Sequence, residues 1–361
     1  MEGTMKAGFF YGKNDMRVEE TACPKADAGE VIIEVKRCGI CGTDLHEFKD
    51  GAGSHVTFTE PHRVTGDKVP IIMGHEFAGV ICEIGEGVSD QWKIGDRVAI
   101  MPLHSCGKCY HCLRGDRHMC DEYACTGLQW HWGGFAPYCK AKEYQLNRIP
   151  DSVTYEQAAC IEPTALANYA IQRGHVSPGD KVFISGGGPT AVLTLMCARA
   201  AGATKIYMSE PAPKRRQRLL DFGADAAFDP TEVDVVEEVL KLTDGRGADV
   251  VIDCSGVESA INQGFDIVKK RGHYVQSGLS TRPFTIQKPS IWADKDIDLS
   301  GLWCYQISSF QGILDMMESG HLPSIERIVT KVIDLDDIQQ GFETLAYDTE
   351  GSEVKIQVSF E

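Results

Sequence analysis

The stretch DKVFISGGGPTAVLTLMCARAAGATKIYMSE, residues 180–210, decides the fold of at least half the chain. An apolar run, DKVFIS, reads as a buried strand. A helical segment, PTAVLTLMCARAAGA, follows a glycine-rich turn, and KIYMSE reads as the next strand. Set against the pattern G-x-G-x-x-G/A, the turn supplies Gly186, Gly188 and Ala191. The first glycine makes the tight turn, the second lets a backbone come close to a pyrophosphate, and the alanine lets helix and strand pack closely. Pro189 suits the first helical turn, whose free N–H groups face the phosphates. Thr190 follows it.

At the end of the second strand stands Glu210. A carboxylate there accepts hydrogen bonds from a ribose 2′-hydroxyl and repels a 2′-phosphate, which favours NAD over NADP. Arg215 and Arg216 follow; they either reach a 2′-phosphate or lie on a solvated helix face.

Working outward, strands and helices keep alternating: PKRRQRLLDFGAD as a helix, AAFD as a short strand, a helix near 231–242, ADVVIDCSG as a strand, a helix near 257–269 and GHYVQSG as a strand. Such alternation predicts βαβ units on a buried parallel sheet. The segment TYEQAACIEPTALANYAIQRG before it has helical spacing and ends at a glycine. The first 150 residues differ. EVIIEVKRCGI, FAGVICEIGEG and GDRVAIMP are short runs separated by glycines and predict a β-rich lobe with few helices. EVKIQVSF near the C-terminus predicts a final strand.

The chain has 361 residues, two to three domains at roughly 150 residues each. A net charge of −16 argues against nucleic acid as a partner, because phosphate binding needs a basic surface. There is no apolar run of about 18 residues, so no membrane span is expected. The opening MEGTMKAGFFYGKND lacks the apolar core of a signal peptide, and the expected compartment is the cytoplasm.

Fourteen cysteines in a reducing compartment remain thiols, and a tight cluster among them is better read as a metal site than as disulfides. CGKCYHCLRGDRHMC brings Cys106, Cys109, Cys112 and Cys120 into fifteen residues. Four thiolates at this spacing can close tetrahedrally on zinc and leave no open position, which makes a structural site. An iron–sulfur cluster or unrelated buried thiols are the alternatives; no proline follows the fourth cysteine, as it does in bacterial ferredoxins. His111 and His118 are expected to be exposed loop residues.

A second set is scattered. CGICGTDLH supplies Cys41, Thr43, Asp44 and His46, GHEFAG supplies His75 and Glu76, and CIEPTALA supplies Glu162. One thiolate, one imidazole and one carboxylate can hold zinc with a position left for water or substrate. Each residue alone also has an ordinary reading: a buried thiol, as for Cys38, or a satisfied core histidine.

The motifs GHEFAGVICEIGEGV, KIGDRVA, CGKCYHCLRGDRHMC and the glycine turn followed by Glu210 resemble those of the zinc-dependent medium-chain dehydrogenases, the superfamily of alcohol, sorbitol and 2,3-butanediol dehydrogenases. IEP at the third metal position and the long segment EFKDGAGSHVTFTEPHRVTGDKVPIIMGHE resemble the polyol and butanediol branch. Thr190 stands where that family usually has an aliphatic residue.

The resemblance implies an α/β fold: a GroES-like β-rich catalytic domain over 1–163 and 304–361, and a doubly wound Rossmann domain over 164–303. It implies two zinc ions per chain. Cys41 and His75, with Glu76 and Glu162 as carboxylates, would bind the catalytic ion, and the four cysteines the structural one. Asp44 would orient the zinc histidine, and Thr43 and His46 would relay a proton to solvent. The implied reaction moves a hydride between a secondary alcohol, a vicinal diol or polyol, and NAD, and in reverse reduces the ketone. The alternatives are a cyclitol or aminocyclitol dehydrogenase, and a non-catalytic NAD-binding sensor. His55, His62, Trp130, Trp132, Trp303 and Tyr305 are candidate pocket residues. A homodimer or homotetramer is implied, with DIDLSGLWCY as a candidate strand between subunits.

Overall fold

The computed structural model describes residues 3–280, 283–322 and 324–361; the first two residues of the N-terminal stretch lie outside it. It consists of two compact units. The first comprises 1–162, 306–348 and 355–361, and the second 163–305 and 349–354.

The first unit is built on a seven-stranded sheet. Its strands follow the order Leu146–Arg148, Arg97–Ile100, Glu76–Ile84, Glu30–Gly39, Lys355–Ser359 and Val329–Ile333, with Tyr138–Lys142 also paired to Glu30–Gly39. Val31, Ile32, Ile33 and Val35 of the central strand are buried consecutively rather than alternately. That is the signature of a strand covered on both faces. Thr4–Gly12, Asp15–Ala22 and Ile71–Ile72 form a smaller three-stranded sheet. The predicted β-rich lobe with few helices is the one found.

The second unit holds a six-stranded sheet in the order Ala226–Phe228, Lys205–Ser209, Lys181–Ser185, Ala248–Asp253, Val268–Gln276 and Asp298–Gly301. Every neighbouring pair is parallel. Chain order reverses beside Lys181–Ser185, and ligands bind such sheets at the carboxyl ends of the strands at that reversal. The glycine turn leaves Lys181–Ser185 at this end. Asp298–Gly301, within DIDLSGLWCY, is one of its two edge strands.

Three details differ from expectation. The segment 154–173 is two helices, Tyr155–Ala158 and Ile161–Arg173. Pro163 has no N–H to give to Ala159, so one helix ends and the next starts with the proline in its first turn. Residues 349–354 belong with the second unit, not the first. Arg218 explains this locally, donating to Gly351 O at 3.2 Å and Ser352 O at 2.8 Å. His118 is buried, with 4% of its surface accessible, because the short turn Arg117–Met119 directs it inward and leaves Met119 outside.

Candidate active site and metal centres

The four cysteines of the 106–120 loop converge. Their sulfurs all lie within 4.8 Å of one another, and Cys109 Sγ is 4.0 Å from Cys120 Sγ. The short helix Tyr110–Leu113 places Cys109 at its N-terminal edge and buries Cys112. Backbone N–H groups of Cys106 and Glu122 point at Cys120 Sγ, each at 3.3 Å. Backbone N–H groups of Cys112 and Asp121 lower the Cys109 thiol to about 6, while burial pushes Cys120 up to about 12. A loop that aims amide donors at sulfur is built for thiolates, and a cation at the centre supplies the missing counter-charge.

The scattered set also assembles, in part. One donor atom each from Cys41, His75 and Glu76 lies within 4.8 Å of the other two. Cys41 caps the N-terminus of the helix Gly42–Asp50, and Glu76 begins the strand Glu76–Ile84. Asp44 joins these pieces. It is fully buried, its Oδ2 accepts the Cys41 backbone N–H at 2.9 Å, and its Oδ1 lies 3.3 Å from His75 Nδ1. One carboxylate therefore both caps the helix that carries Cys41 and fixes the imidazole.

Burial disfavours a charged His75 ring, yet Asp44 and Cys41 outweigh it and hold the ring well above its usual range. Burial raises the Cys41 thiol. A divalent cation within reach reverses the second effect, since a coordinating thiol is deprotonated outright. A half-buried thiol beside a buried imidazole and carboxylate fits zinc with an open position.

Sequence reasoning missed Lys355. Its Nζ lies 2.7 Å from both carboxylate oxygens of Glu76 and donates to Ile40 O at 2.9 Å. Both side chains are almost fully buried, 2% and 1% accessible. Burial alone would lower the lysine, but the Glu76 carboxylate outweighs it and keeps the ammonium charged. The pair spans the strand Glu30–Gly39, whose Gly39 lies opposite Glu76 in register. A Cβ on Gly39 would sit 2.2 Å from Glu76 Oε2, so the missing side chain makes the crossing possible. The only signal in the sequence was a lysine inside an apolar final strand.

Glu162 is the second residue of the helix Ile161–Arg173. The three-donor group does not extend to it. Thr43 is half-buried and His46 exposed on the helix Gly42–Asp50. Burial, then the neighbouring His55, lowers the His46 ring.

Of the candidate pocket residues, His55 lies beside His46, the two rings 5.4 Å apart. His62 packs on Phe58, Trp130 sits edge-on to His104 at 4.6 Å, and Trp132 packs against the small core around Met5, Phe9 and Ile72. Trp303 is partly exposed and Tyr305 buried, both in the second unit.

In the second unit, Gly186 has φ +102° and its N–H donates to Ser209 O at 2.8 Å. Gly188 caps the helix Pro189–Ala200, and nothing stands within 4 Å of where its Cβ would be, which leaves room for a ligand. Ala191 is buried, as close packing requires. Thr190 accepts from Thr194 Oγ1 at 2.7 Å through its carbonyl, a bond within the helix.

Glu210 tucks under the turn, where a Cβ on Gly187 would meet its carboxylate at 2.7 Å, and Oε1 accepts the Ala212 N–H. Arg216 is occupied by Glu210 O, Pro211 O and Asp229. Arg215 lies along Gly351.

Residues 27–151 match the alcohol dehydrogenase GroES-like domain family and residues 189–319 the zinc-binding dehydrogenase family. The chain is 36% identical over 356 residues to (R,R)-butanediol dehydrogenase of Bacillus subtilis (strain 168), covering 98% of this chain and 99% of that one. It is 32% identical to sorbitol dehydrogenase of the same strain, covering 94% and 93%. The crystal structure of 2R,3R-butanediol dehydrogenase from Bacillus subtilis superposes with a TM-score of 0.91 at 35% identity, covering 99% of this chain and all of that one. With two matching domain families, full-length relatives and a convergent thiol–imidazole–carboxylate set, the chain belongs to the zinc-dependent medium-chain dehydrogenases and is an oxidoreductase of that family.

Proposed function

We propose that this enzyme oxidises a secondary alcohol of the vicinal diol class, with NAD as hydride acceptor and two zinc ions per chain. The observation that carries the reading is the meeting of Cys41, His75 and Glu76 within 4.8 Å, beside a separate four-cysteine loop. Full-length similarity to (R,R)-butanediol dehydrogenases supports the diol class. Cys41 and His75 would hold the catalytic ion, with Glu76 or Glu162 as the carboxylate, and Cys106, Cys109, Cys112 and Cys120 the structural one. When bound, the catalytic ion supplies Lewis acidity that makes a nearby hydroxyl easier to deprotonate.

The chain's own residues do the rest. Asp44 Oδ1, 3.3 Å from His75 Nδ1, favours a proton on that nitrogen by its charge, which would leave the other ring nitrogen as the donor. Lys355 supplies a counter-charge to the Glu76 carboxylate in a buried place. Thr43 and then His46 pass the alcohol proton toward solvent; burial and then His55 lower the His46 ring, which favours the neutral form able to accept it. The open face of Gly188 and the helix N-terminus behind it suit a pyrophosphate. Glu210 under the turn suits a ribose hydroxyl, and the engagement of Arg216 elsewhere supports NAD over NADP. NAD held by these residues would supply the hydride acceptor.

No helix among the described residues is long and apolar enough to cross a membrane. We assign the enzyme to the cytoplasm and to a homodimer or homotetramer, with the edge strand Asp298–Gly301 as the subunit contact; a monomer in sedimentation would remove that assignment. The deciding assay offers NAD and NADP separately with a panel of vicinal diols, sorbitol and cyclitols, alongside metal analysis. Two zinc per chain and NADH formed fastest with a vicinal diol are expected. A fully metallated protein that turns over none of them would overturn the reading.

A further inference from the structure

We propose that His46, Asp50 and His55 form a third metal site, exposed at the C-terminal end of the helix Gly42–Asp50, which takes a divalent transition ion such as zinc and slows turnover by capturing His46. The inhibitory half rests on the role of His46 as proton exit given above. One ligand atom from each of the three side chains lies within 4.8 Å of the other two. His46 and Asp50 stand one helical turn apart and so share a face. His55 arrives from the loop that follows, with Nε2 at 2.7 Å from Asp50 Oδ2 and its ring tilted 57° to that of His46.

The arrangement is built rather than incidental. Glu47, fully buried on the same helix, accepts the backbone N–H groups of His55 at 3.2 Å, Val56, and Thr57 at 3.0 Å, and the Thr57 hydroxyl at 2.6 Å. From the other side, Gln129 Nε2 donates to Val56 O at 2.6 Å. The loop that carries His55 is thus fixed against the helix that carries His46 and Asp50. Donors already ordered by folding lose little freedom on binding an ion.

Two imidazoles and one carboxylate with open positions suit zinc, nickel or copper, whereas magnesium and calcium prefer all-oxygen sets. The ion replaces the hydrogen bond between His55 and Asp50, and any proton shared there leaves to solvent. It also occupies the lone pair with which His46 would accept the substrate proton. With no sulfur and side chains partly open to water, the site should bind more weakly than the two cysteine-containing sites, and so respond to free metal.

The test is calorimetric titration of the two-zinc holoenzyme with zinc chloride, with diol oxidation measured across the same range. Asp50→Ala and His55→Ala are titrated in parallel. The wild type should take up a third equivalent and lose activity as it fills. Asp50 is exposed at a helix end, so Asp50→Ala should fold and keep its rate without added zinc, while binding the third ion and being inhibited about tenfold more weakly. His55→Ala should likewise lose the third equivalent. No third equivalent, or titrations unchanged by Asp50→Ala, would overturn the site. A third ion that binds without slowing turnover would overturn the inhibition. Failure of the diol reading shows separately, as no turnover before any zinc is added.

Discussion

The four-cysteine loop and the Cys41–His75–Glu76 group are both partly buried sets of metal donors, yet they are made by opposite means. The loop draws all its donors from one segment of fifteen residues and stabilises sulfur with its own backbone amides. The second group draws from separate elements and has Lys355, 279 residues from Glu76 in the chain, to balance its carboxylate. A closed, like-charged set is a clip. A mixed set with a counter-charged carboxylate is a place where chemistry can happen, because a position stays open.

The sharpest way to break this contrast is Cys41→Ser. Turnover should fall about ten-thousandfold, some 5 kcal/mol of barrier, and one of two zincs should be lost with little change in melting. Full activity in the metallated variant would dissolve the distinction. Cys112→Ser should do the reverse: it removes the other zinc and about 4 kcal/mol of stability, read by thermal melting, while the molecules still folded keep their rate. If activity fell and melting held, the two roles would be exchanged.

Lys355→Met leaves Glu76 buried and uncompensated, and should cost about 3–4 kcal/mol. Lys355→Arg should recover part of it. Denaturant unfolding of both measures the worth of the counter-charge, and a neutral Lys355→Met would mean that Glu76 needs no partner. Gly39→Ala places a methyl against Glu76 and should cost about 2 kcal/mol; an unchanged unfolding midpoint would show that the carboxylate moves aside freely. Smallest is Asp44→Asn, which keeps a similar shape but removes the charge facing His75. Zinc affinity at the catalytic site alone should weaken about tenfold, measured by chelator competition, with the four-cysteine site unaffected.

Particular residues show how much of this was legible in advance. The glycine turn, the strands around it and Glu210 lie within one short stretch, so spacing alone located them. The parallel sheet followed from alternation. Cys106 to Cys120 were readable for the same reason of nearness. The break at Ala159–Cys160 was missed although Pro163 was visible, because helical periodicity outweighed one missing donor. His118 was misplaced because a single turn of backbone, not the loop's composition, aims it. Glu162 matched the family's motif, but a motif does not state a distance. Lys355 gave almost no sign, since a lone lysine in a strand shows nothing of what lies across the neighbouring strand.

By itself the sequence determined the periodicities, the turn chemistry and every donor set that is local in the chain, because these depend on the spacing of neighbours. Tertiary structure alone decided which distant charges meet: that Glu76 faces Lys355 over Gly39, that Asp44 serves both Cys41 and His75, and that Glu47 fixes His55 beside His46. Burial makes such pairings strong, and burial is a property of the packed chain rather than of any stretch within it.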